Sequence, residues 1–190
     1  MNFIQNDSST QLTKALFLDR DGVIVNYIPY LSHPTQVKIP QKAGEALKKW
    51  QDAGYLLIVI TNQSGVGRGY FSMDMVNSIH NYIIEKYSFF GVTFKEFLIC
   101  PHIPSDQCMC RKPSPKMIFQ AAQKYSIDLS HSFLIGDAPS DIECAISAGC
   151  SAILVLTGRG VLTAKMLSGD RQELVSVFNS LIETVEIIRI

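Results

Sequence analysis

The sequence predicts an α/β fold in which a parallel β-sheet is covered by helices on both faces. Two observations lead to this prediction. Short runs of branched apolar residues alternate with amphipathic stretches, and polar side chains repeatedly stand just after the apolar runs. Strands that are apolar at every position are typical of sheets buried on both faces, and their alternation with helices favours parallel pairing. The 190 residues, of which 47% are hydrophobic, suit one domain spanning residues 1–190.

The apolar runs and the helix signals set the order of the elements. Strands are predicted at 15–18, 55–60, 97–99, 133–135 and 152–156, and helices at 41–53, 73–88, 115–125 and 140–148. The predicted caps are Ser72 and Ser114 at N-termini, Pro115 as a first helical residue, and Gly54, Gly91 and Gly149 as C-terminal stops. Residues 26–40 are predicted to form an ordered loop over one edge, and residues 169–190 a helix followed by a short strand.

Charge and composition exclude several classes of protein. The formal net charge is zero, so no basic surface indicates a nucleic-acid partner. No apolar run reaches the roughly 18–20 residues that cross a bilayer. Residues 1–14 lack the basic and apolar regions of a signal peptide. We therefore expect a cytoplasmic protein that binds neither membrane nor nucleic acid.

Polar side chains follow four of the predicted strands. Asp19 and Asp21 follow the first, residues 61–64 the second, Cys100 and its neighbours the third, and Asp137 the fourth. In open parallel sheets, ligands bind outside the carboxyl ends of the strands. These four separate segments are therefore expected to converge on one rim, which is stronger evidence for a site than any single motif.

The first segment places two carboxylates at a turn. Asp19 and Asp21 end an apolar strand, and Gly22 permits the backbone to turn after them. Such a pair can share Mg²⁺, one residue through its carboxylate and the other through its main-chain oxygen. An Asx-type turn or a fragment of a calcium loop is the alternative, although an EF-hand would need an acidic residue where Tyr30 stands.

The second segment is expected to form a cradle for an anion. Thr61, Asn62, Gln63 and Ser64 bring hydroxyl and amide groups to a strand end, and the glycines that follow leave backbone N–H groups accessible. Arg68 adds a guanidinium that can bind phosphate. The segment is not a Walker loop, because no Gly-Lys-Ser/Thr follows. A polar surface loop is the alternative.

Four soft ligands lie close together in the third segment: Cys100, His102, Cys108 and Cys110. They match a tetrahedral Cys₃His zinc site, and because all four positions are filled by protein the zinc is expected to be structural. Free thiols that cluster by chance are the alternative. The zinc-binding loop is thus predicted at residues 100–110.

Four charged residues complete the candidate site. Arg111 and Lys112 directly follow the zinc loop, which would hold their cations toward the rim, although a solvated pair is the simpler interpretation in isolation. Asp137 ends a strand and Asp141 lies on the opening turn of a helix. Helix capping accounts for one aspartate, whereas a metal shared with Asp19 accounts for Asp137 beside an apolar run.

These motifs resemble the four ordered motifs of the haloacid dehalogenase-like phosphatases. The matching segments are 18–22 (LDRDG), 61–65 (TNQSG), 112–113 (KP) and 136–141 (GDAPSD), and the resemblance runs from about residue 15 to 158. The zinc loop resembles two subgroups, the D,D-heptose 1,7-bisphosphate phosphatases and the histidinol-phosphatases. Arg68 and Gly69 after the second motif resemble the heptose form. Val23 and residues 29–31 differ from the residues common in heptose enzymes.

The resemblance implies a Rossmann-like fold without a cap domain and a Mg²⁺-dependent phosphatase that works through an aspartyl-phosphate. Asp19 is the implied nucleophile and Asp21 the implied general acid and base. Thr61 and Lys112 are implied to bind the transferring phosphoryl group. The implied magnesium ligands are Asp19, Asp137 and the main-chain oxygen of Asp21. Asp141 is implied to orient Lys112 or a metal-bound water.

The resemblance also implies the substrate class. The expected substrate is a small phosphorylated sugar, D-glycero-D-manno-heptose 1,7-bisphosphate, hydrolysed at its 7-phosphate by a monomer. The implied substrate-binding residues are Asn62, Gln63, Ser64, Arg68, Arg111 and Tyr30. Zn²⁺ is expected to clamp its loop and so direct Arg111 and Lys112. A histidinol-phosphatase and a catalytically dead, zinc-stapled binding protein are the alternatives, and the complete set of motif residues argues against the second.

Overall fold

The strands form one six-stranded parallel sheet in the computed structural model, which describes residues 12–167 and 173–188. They are β1 (Lys14–Leu18), β2 (Tyr55–Asn62), β3 (Phe94–Cys100), β4 (Phe133–Gly136), β5 (Ser151–Val155) and β6 (Val175–Phe178). Their order across the sheet is β3-β2-β1-β4-β5-β6, and every neighbouring pair is parallel. The predicted parallel α/β architecture is confirmed.

The helices connect the strands. They are α1 (Ala43–Asp52), α2 (Ser64–Gly67), α3 (Met73–Ser88), α4 (Lys116–Tyr125), α5 (Pro139–Ala148) and α6 (Gly160–Met166). The four predicted helices are confirmed with small shifts at their ends, while α2 and α6 were not predicted. Of the helices in the described ranges, none has both the length and the apolar character needed to cross a membrane.

Side chains of β1 alternate between two cores, one on each face of the sheet. Leu16 and Leu18 belong to one cluster of buried apolar residues, whereas Ala15 and Phe17 belong to the other. Helices α1 and α3 contribute to the first cluster, and α4 and α5 to the second. The central strand is therefore buried on both sides, which explains why its sequence is apolar at every position.

The chain reverses its direction of travel across the sheet between β1 and β4. Connections leave the carboxyl ends of these two strands toward opposite sides, which opens a crevice between them. Leu18 is level with Ile135 in the ladder, and the Asp19 backbone N–H donates to the Ile135 carbonyl over 2.9 Å. Asp19 after β1 and Asp137 after β4 therefore enter the same crevice.

Two local predictions were wrong. Pro115, not Ser114, occupies the N-cap position of helix α4, although the Ser114 hydroxyl accepts from the Lys116 N–H over 3.4 Å. Glu173 is helical, but residues 174–188 form strand β6 and a 3₁₀ turn at 183–187 in place of the rest of the predicted helix and the terminal strand. Strand β6 lies at the edge of the sheet and is only partly buried, so its apolar signal is weak. Residues 1–11, 168–172 and 189–190, to which parts of the predictions refer, lie outside the described residues.

A buried hydrogen bond ties the C-terminal 3₁₀ turn to α1. The Trp50 indole Nε1 donates to Thr184 Oγ1 over 3.0 Å, and Thr184 Oγ1 donates to the Leu181 carbonyl over 2.7 Å. Neither Trp50 nor Thr184 is exposed to solvent. An isosteric change at Thr184 would leave a buried indole N–H without its acceptor.

We expect Thr184→Val to lower the free energy of unfolding by about 1–3 kcal/mol, the cost of an unsatisfied buried polar group. Urea unfolding of the variant and the wild type measures this loss. Thr93→Val, at an exposed position, is the matched control and should unfold like the wild type. Equal stability of all three proteins would mean that the bond to Trp50 contributes nothing.

Candidate functional site

A cleft of about 320 Å³ lies at the rim of the sheet. The predicted site residues that line it are Asp19, Asp21, Tyr30, Asn62, Gln63, Ser64, Arg68, Arg111, Lys112 and Asp141. Thr61 and Asp137 are buried beside it, with exposed fractions of 1% and 0%. The structure therefore brings together the side chains that the sequence selected from four separate segments.

The Lys112 ammonium group joins two of the aspartates. Its Nζ lies 2.6 Å from Asp19 Oδ1 and 2.8 Å from Asp141 Oδ1, and it donates to the Ile60 carbonyl over 2.7 Å. Burial acts to lower the pKa of Lys112, but the carboxylates of Asp141 and Asp19 outweigh burial and raise it. Lys112 therefore stays protonated and offsets part of the negative charge.

Asp141 serves the helix and the site at once. Its Oδ2 accepts from the backbone N–H groups of Asp137 over 3.2 Å and Ala138 over 3.0 Å, which caps the N-terminus of α5. Its Oδ1 pairs with Lys112. A Cβ at Gly136 would lie 2.2 Å from the Asp141 side chain, so this close packing requires glycine. Asp141 thus caps the helix with one oxygen and pairs with Lys112 through the other.

Asp137 is enclosed by backbone. Its Oδ2 accepts from the Arg159 backbone N–H over 2.8 Å and its Oδ1 from Arg159 Nη2 over 3.1 Å. Gly22 and Gly158 have φ of +91° and +57°, and a Cβ on either would lie 2.2 Å from Oδ2. Burial, reinforced by the Asp19 carboxylate, raises the pKa of Asp137 to about 6.

The three buried aspartates form a group that fits a divalent cation. Asp19, Asp137 and Asp141 each offer a carboxylate oxygen, and these oxygens lie within 4.8 Å of one another. Burial also raises the pKa of Asp141, although Lys112 opposes this shift. Raised pKa values indicate carboxylates short of positive charge, and oxygen atoms are the ligands that Mg²⁺ prefers. The separation of Asp19 and Asp137 allows them to share one ion.

The Asp21 carboxylate is held by two neighbours. Arg20 donates to it from Nε over 3.1 Å and from Nη2 over 2.8–2.9 Å. Gln63 Nε2 donates to Asp21 Oδ2 over 3.0 Å and to Thr61 Oγ1 over 2.8 Å. Asp21 retains 19% side-chain exposure. It therefore presents a partly open carboxylate to the cleft in a fixed orientation.

The Asn62 side chain holds the backbone of the segment that carries Lys112. Its Nδ2 donates to the Lys112 carbonyl over 3.1 Å, and its Oδ1 accepts from the Lys112 backbone N–H over 3.0 Å. Asn62 also lines the cleft, and its predicted contact with substrate stays a prediction. Asn62 joins the end of β2 to the segment that carries Lys112.

Two guanidinium groups and an aromatic pair occupy the mouth of the cleft. Among the described residues, neither Arg68 nor Arg111 forms an ion pair within 4.0 Å of a carboxylate, and Arg111 Nη1 donates to the His102 carbonyl over 3.2 Å. The rings of Tyr30 and Tyr70 meet edge to face, with centroids 4.9 Å apart. This mouth suits an anionic ligand with a polar ring or chain.

The four predicted zinc ligands come together beside the cleft. Cys100 Sγ lies 3.5 Å from Cys108 Sγ and 3.7 Å from His102 Nδ1, and Cys110 Sγ lies 3.3 Å from His102 Nδ1 and 3.7 Å from Cys108 Sγ. Tetrahedral zinc with Zn–S bonds of about 2.3 Å separates its sulfur ligands by roughly 3.8 Å. The donor set and its spacing fit Zn²⁺.

Arg159 lines the cleft but was not selected from the sequence. Besides its contacts with Asp137, its guanidinium lies 5.3 Å from the centroid of the Tyr27 ring, which also lines the cleft. A usable signal existed, because residues 157–160 (TGRG) follow the predicted strand 152–156 and so reach the same rim. These residues include no carboxylate, thiol or amide side chain, which were the groups that marked the other predicted site residues.

Comparisons with known proteins agree with the geometry. A family model described as HAD-hydrolase-like matches residues 109–184. A D-glycero-alpha-D-manno-heptose-1,7-bisphosphate 7-phosphatase of Photorhabdus laumondii is 42% identical over 153 residues, which cover 76% of this chain and 84% of that protein. A D-glycero-beta-D-manno-heptose-1,7-bisphosphate 7-phosphatase of Haemophilus ducreyi is 36% identical over 183 residues and covers 90% and 96%.

A solved structure extends this similarity to three dimensions. The crystal structure of a D,D-heptose 1,7-bisphosphate phosphatase from B. bronchiseptica, complexed with magnesium and phosphate, superposes with a TM-score of 0.85. It is 32% identical, and the match covers 91% of this chain and 96% of that one. The resemblance proposed from the sequence motifs is therefore confirmed.

A buried histidine lies behind the cleft. His80 is 4% exposed, and its Nε2 lies 3.4 Å from Arg20 Nη1. Burial, followed by the positive charge of Arg20, lowers the pKa of His80 to about 3. The unfolded chain takes up a proton at this position near pH 6.5, whereas the folded protein does not. Stability from His80 is therefore complete above pH 6.5 and decreases as the pH falls toward 3.

We expect the wild type to lose about 1–2 kcal/mol of unfolding free energy between pH 6.5 and pH 5 through this residue. Urea unfolding at both pH values measures the loss, which His80→Gln should remove. His33→Gln, at an exposed site, is the matched control and should keep the pH dependence of the wild type. An unchanged pH dependence in His80→Gln would contradict the assignment of a neutral buried ring.

Proposed function

Since the chain belongs to the haloacid dehalogenase-like hydrolase family that includes the D-glycero-D-manno-heptose-1,7-bisphosphate 7-phosphatases, we propose that it removes the 7-phosphate from that sugar. The observation that carries this proposal is the buried group of Asp19, Asp137 and Asp141, two of which pair with Lys112. The relatives of this chain are phosphatases. A buried acidic group of this kind is costly unless it binds cations and meets an anionic substrate.

Asp19 is the proposed nucleophile. Within the described residues, hydrogen bonding to its carboxylate comes from Lys112 on Oδ1. An Asp19 oxygen forms a bond to phosphorus while the bond between phosphorus and the sugar oxygen breaks, which gives an aspartyl-phosphate. Water then attacks this phosphorus, the bond to Asp19 breaks, and inorganic phosphate leaves.

Asp21 is the proposed general acid and base. It donates its proton to the sugar oxygen as that oxygen leaves, and it takes a proton from the water that attacks the aspartyl-phosphate. The two transfers restore Asp21 to its starting state. Its partly exposed carboxylate, held by Arg20 and Gln63, is available to both the leaving oxygen and the water.

Lys112 and Thr61 are proposed to bind the transferring group. The Lys112 ammonium already offsets the charge of Asp19 and Asp141, which reduces the repulsion between an anionic nucleophile and a phosphate. Asn62 positions Lys112 through its backbone, and Asp141 positions it through its ammonium group. Thr61 is fixed by Gln63.

The proposed magnesium ligands are Asp19, Asp137 and the main-chain oxygen of Asp21. The chain fits a cation here because Asp19 and Asp137 approach closely, and because Gly22 and Gly158 leave no side chain over Asp137. When bound, Mg²⁺ supplies positive charge that neutralises the nucleophile and the phosphoryl oxygens. Asp141, engaged by α5 and Lys112, acts as a supporting residue.

Arg68, Arg111 and Tyr30 are proposed to bind the rest of the substrate, with Gln63 and Ser64 lining the same cleft. Arginine forms paired hydrogen bonds to phosphate, so the two guanidinium groups at the mouth suit a second phosphate on the sugar. The relatives are named for opposite anomers of the 1-phosphate.

Zinc is proposed to have a structural role. Bound by Cys100, His102, Cys108 and Cys110, it would fix the loop that leads into Arg111 and Lys112. The contact between Arg111 and the His102 carbonyl couples that loop directly to the cleft. The monomeric state and the cytoplasmic location stay predictions from the sequence.

The function is tested by a substrate panel with Mg²⁺ present. Phosphate release from both anomers of heptose 1,7-bisphosphate is compared with release from histidinol phosphate and 4-nitrophenyl phosphate, and we expect the highest kcat/KM for a heptose anomer. A preference for histidinol phosphate would favour the histidinol-phosphatase alternative. Activity on none of them would favour the binding protein.

We expect Asp19→Asn to lower turnover by about 10³-fold or more, because loss of a nucleophile removes the covalent route. Phosphate release with the preferred substrate measures this change. Asp52→Asn, at a surface position, is the matched control and should turn over like the wild type. Wild-type activity in Asp19→Asn would show that another group attacks phosphorus.

We expect one tightly bound zinc per chain by elemental analysis. Cys108→Ser combined with Cys110→Ser should abolish zinc binding and lower both Tm and turnover, because the loop that carries Lys112 loses its anchor. Cys150→Ala removes a buried thiol outside the cluster and should keep the zinc content. A double variant that is zinc-free yet fully active would contradict the structural role.

A further inference from the structure

A buried arginine lies between the two proposed catalytic aspartates in the sequence, and the mechanism above gives it no step of its own. Arg20 is 1% exposed. Its Nε and Nη2 both face the Asp21 carboxylate, at 2.8–3.1 Å, and this is its ion pair within the described ranges. A guanidinium removed from water costs several kcal/mol unless its geometry is well matched to a partner. The Nε and Nη2 groups of Arg20 are matched to the Asp21 carboxylate in the orientation that Asp21 has here.

Arg20 is itself fixed from behind. Its Nη1 lies 3.4 Å from His80 Nε2 on α3. The His80 ring packs against Phe97 of β3, with centroids 4.6 Å apart and planes inclined by 34°. The Arg20 carbonyl also accepts the N–H groups of Ile24 and Val25, each over 3.1 Å, within the turn that follows β1. Three separate parts of the fold thus determine where the guanidinium stands.

Gln63 completes the support from the other side. Its Nε2 bonds Asp21 Oδ2 over 3.0 Å, so the carboxylate is held by donors from two residues. A carboxylate at the end of a two-bond side chain otherwise samples several rotamers. Misplacement of a reacting group by about 1 Å can cost about 10²-fold in rate. Burial of a charged residue at this position is therefore explained by control over the direction of Asp21.

We propose that Arg20 is a positioning residue that aims the Asp21 carboxylate at the leaving oxygen and at the attacking water. The inference rests on the proposed function of Asp21 as general acid and base. Arg20 exchanges no proton itself and acts only through its bonds to the Asp21 carboxylate. Its contribution is therefore largest where proton transfer matters most, which is the departure of a sugar alkoxide.

The leaving group separates positioning of a proton donor from a general structural role. A sugar alkoxide needs a proton as it departs, whereas 4-nitrophenolate is stable as an anion and does not. The first turnover with 4-nitrophenyl phosphate therefore reports attack by Asp19 without help from Asp21. The release of 4-nitrophenolate in that first turnover is a burst that does not need the proton. A variant that keeps the burst but slows the first turnover of the sugar phosphate is therefore defective in proton transfer.

The experiment compares wild type, Arg20→Lys, Arg20→Met and Asp21→Asn in rapid-quench first turnovers with heptose bisphosphate and 4-nitrophenyl phosphate. For the sugar phosphate we expect losses of about 10-fold in Arg20→Lys and about 10²-fold in Arg20→Met, with KM changed less than about threefold. The nitrophenolate burst should change less than about threefold in both, as in Asp21→Asn. Lys48→Met, which breaks a surface ion pair, is the matched control and should change neither rate.

Each other outcome has a defined meaning. Equal losses on both substrates, or no loss on either, in the arginine variants would overturn the inference. If Asp21→Asn slows both substrates equally, the proposed role of Asp21 is overturned, and the inference falls with it. If Asp21→Asn slows only the sugar phosphate while the arginine variants slow both substrates, the proposed function stands and only the role of Arg20 is rejected. If Arg20→Met does not fold, Arg20→Lys, which retains the buried charge, decides by the same criterion.

Discussion

The contact of the Lys112 ammonium group with Asp19 and Asp141 is the interaction on which the site depends. Three carboxylates lie within 4.8 Å of one another at the carboxyl ends of β1 and β4, almost out of contact with water. Such a group is strongly unfavourable without positive charge. Lys112 supplies one charge to Asp19 and Asp141, and Arg159 supplies another to Asp137. The remaining negative charge is what a divalent ion would meet.

Much of the surrounding chain serves to hold these charges in place. Asn62 bonds the backbone of Lys112 in both directions, so the end of β2 fixes the segment that carries the lysine. Three cysteines and a histidine cluster beside this segment, and Arg111 donates to the carbonyl of that histidine, His102. Glycines at 22, 136 and 158 let backbone and carboxylates approach to distances that a Cβ would forbid. The polar residues of the rim thus act as a connected unit in which few side chains have one role.

The sequence predicted the sheet, the main helices and most members of the site because each depends on local patterns. A strand buried on both faces must be apolar throughout, and a polar residue directly after it is easily seen. Arg159 and Tyr27 were missed because they carry no such signal, being an arginine in a glycine-rich turn and an aromatic in a loop. Strand β6 was missed because it is only four residues long and partly exposed. The bond between Asn62 and Lys112 was missed because the two residues lie 50 positions apart.

The sequence by itself determined the fold class, the rim on which the site lies, the set of three cysteines and one histidine, and the motifs that resemble those of a phosphatase family. These follow from periodicity, from residue type and from spacing along the chain, all of which are local. Tertiary structure alone decided which polar group meets which: Asp141 as both helix cap and partner of Lys112, and Arg20 as the clamp of Asp21 backed by His80. Such pairings depend on side-chain directions within about one ångström across segments far apart in sequence, and no pattern along a single chain encodes them.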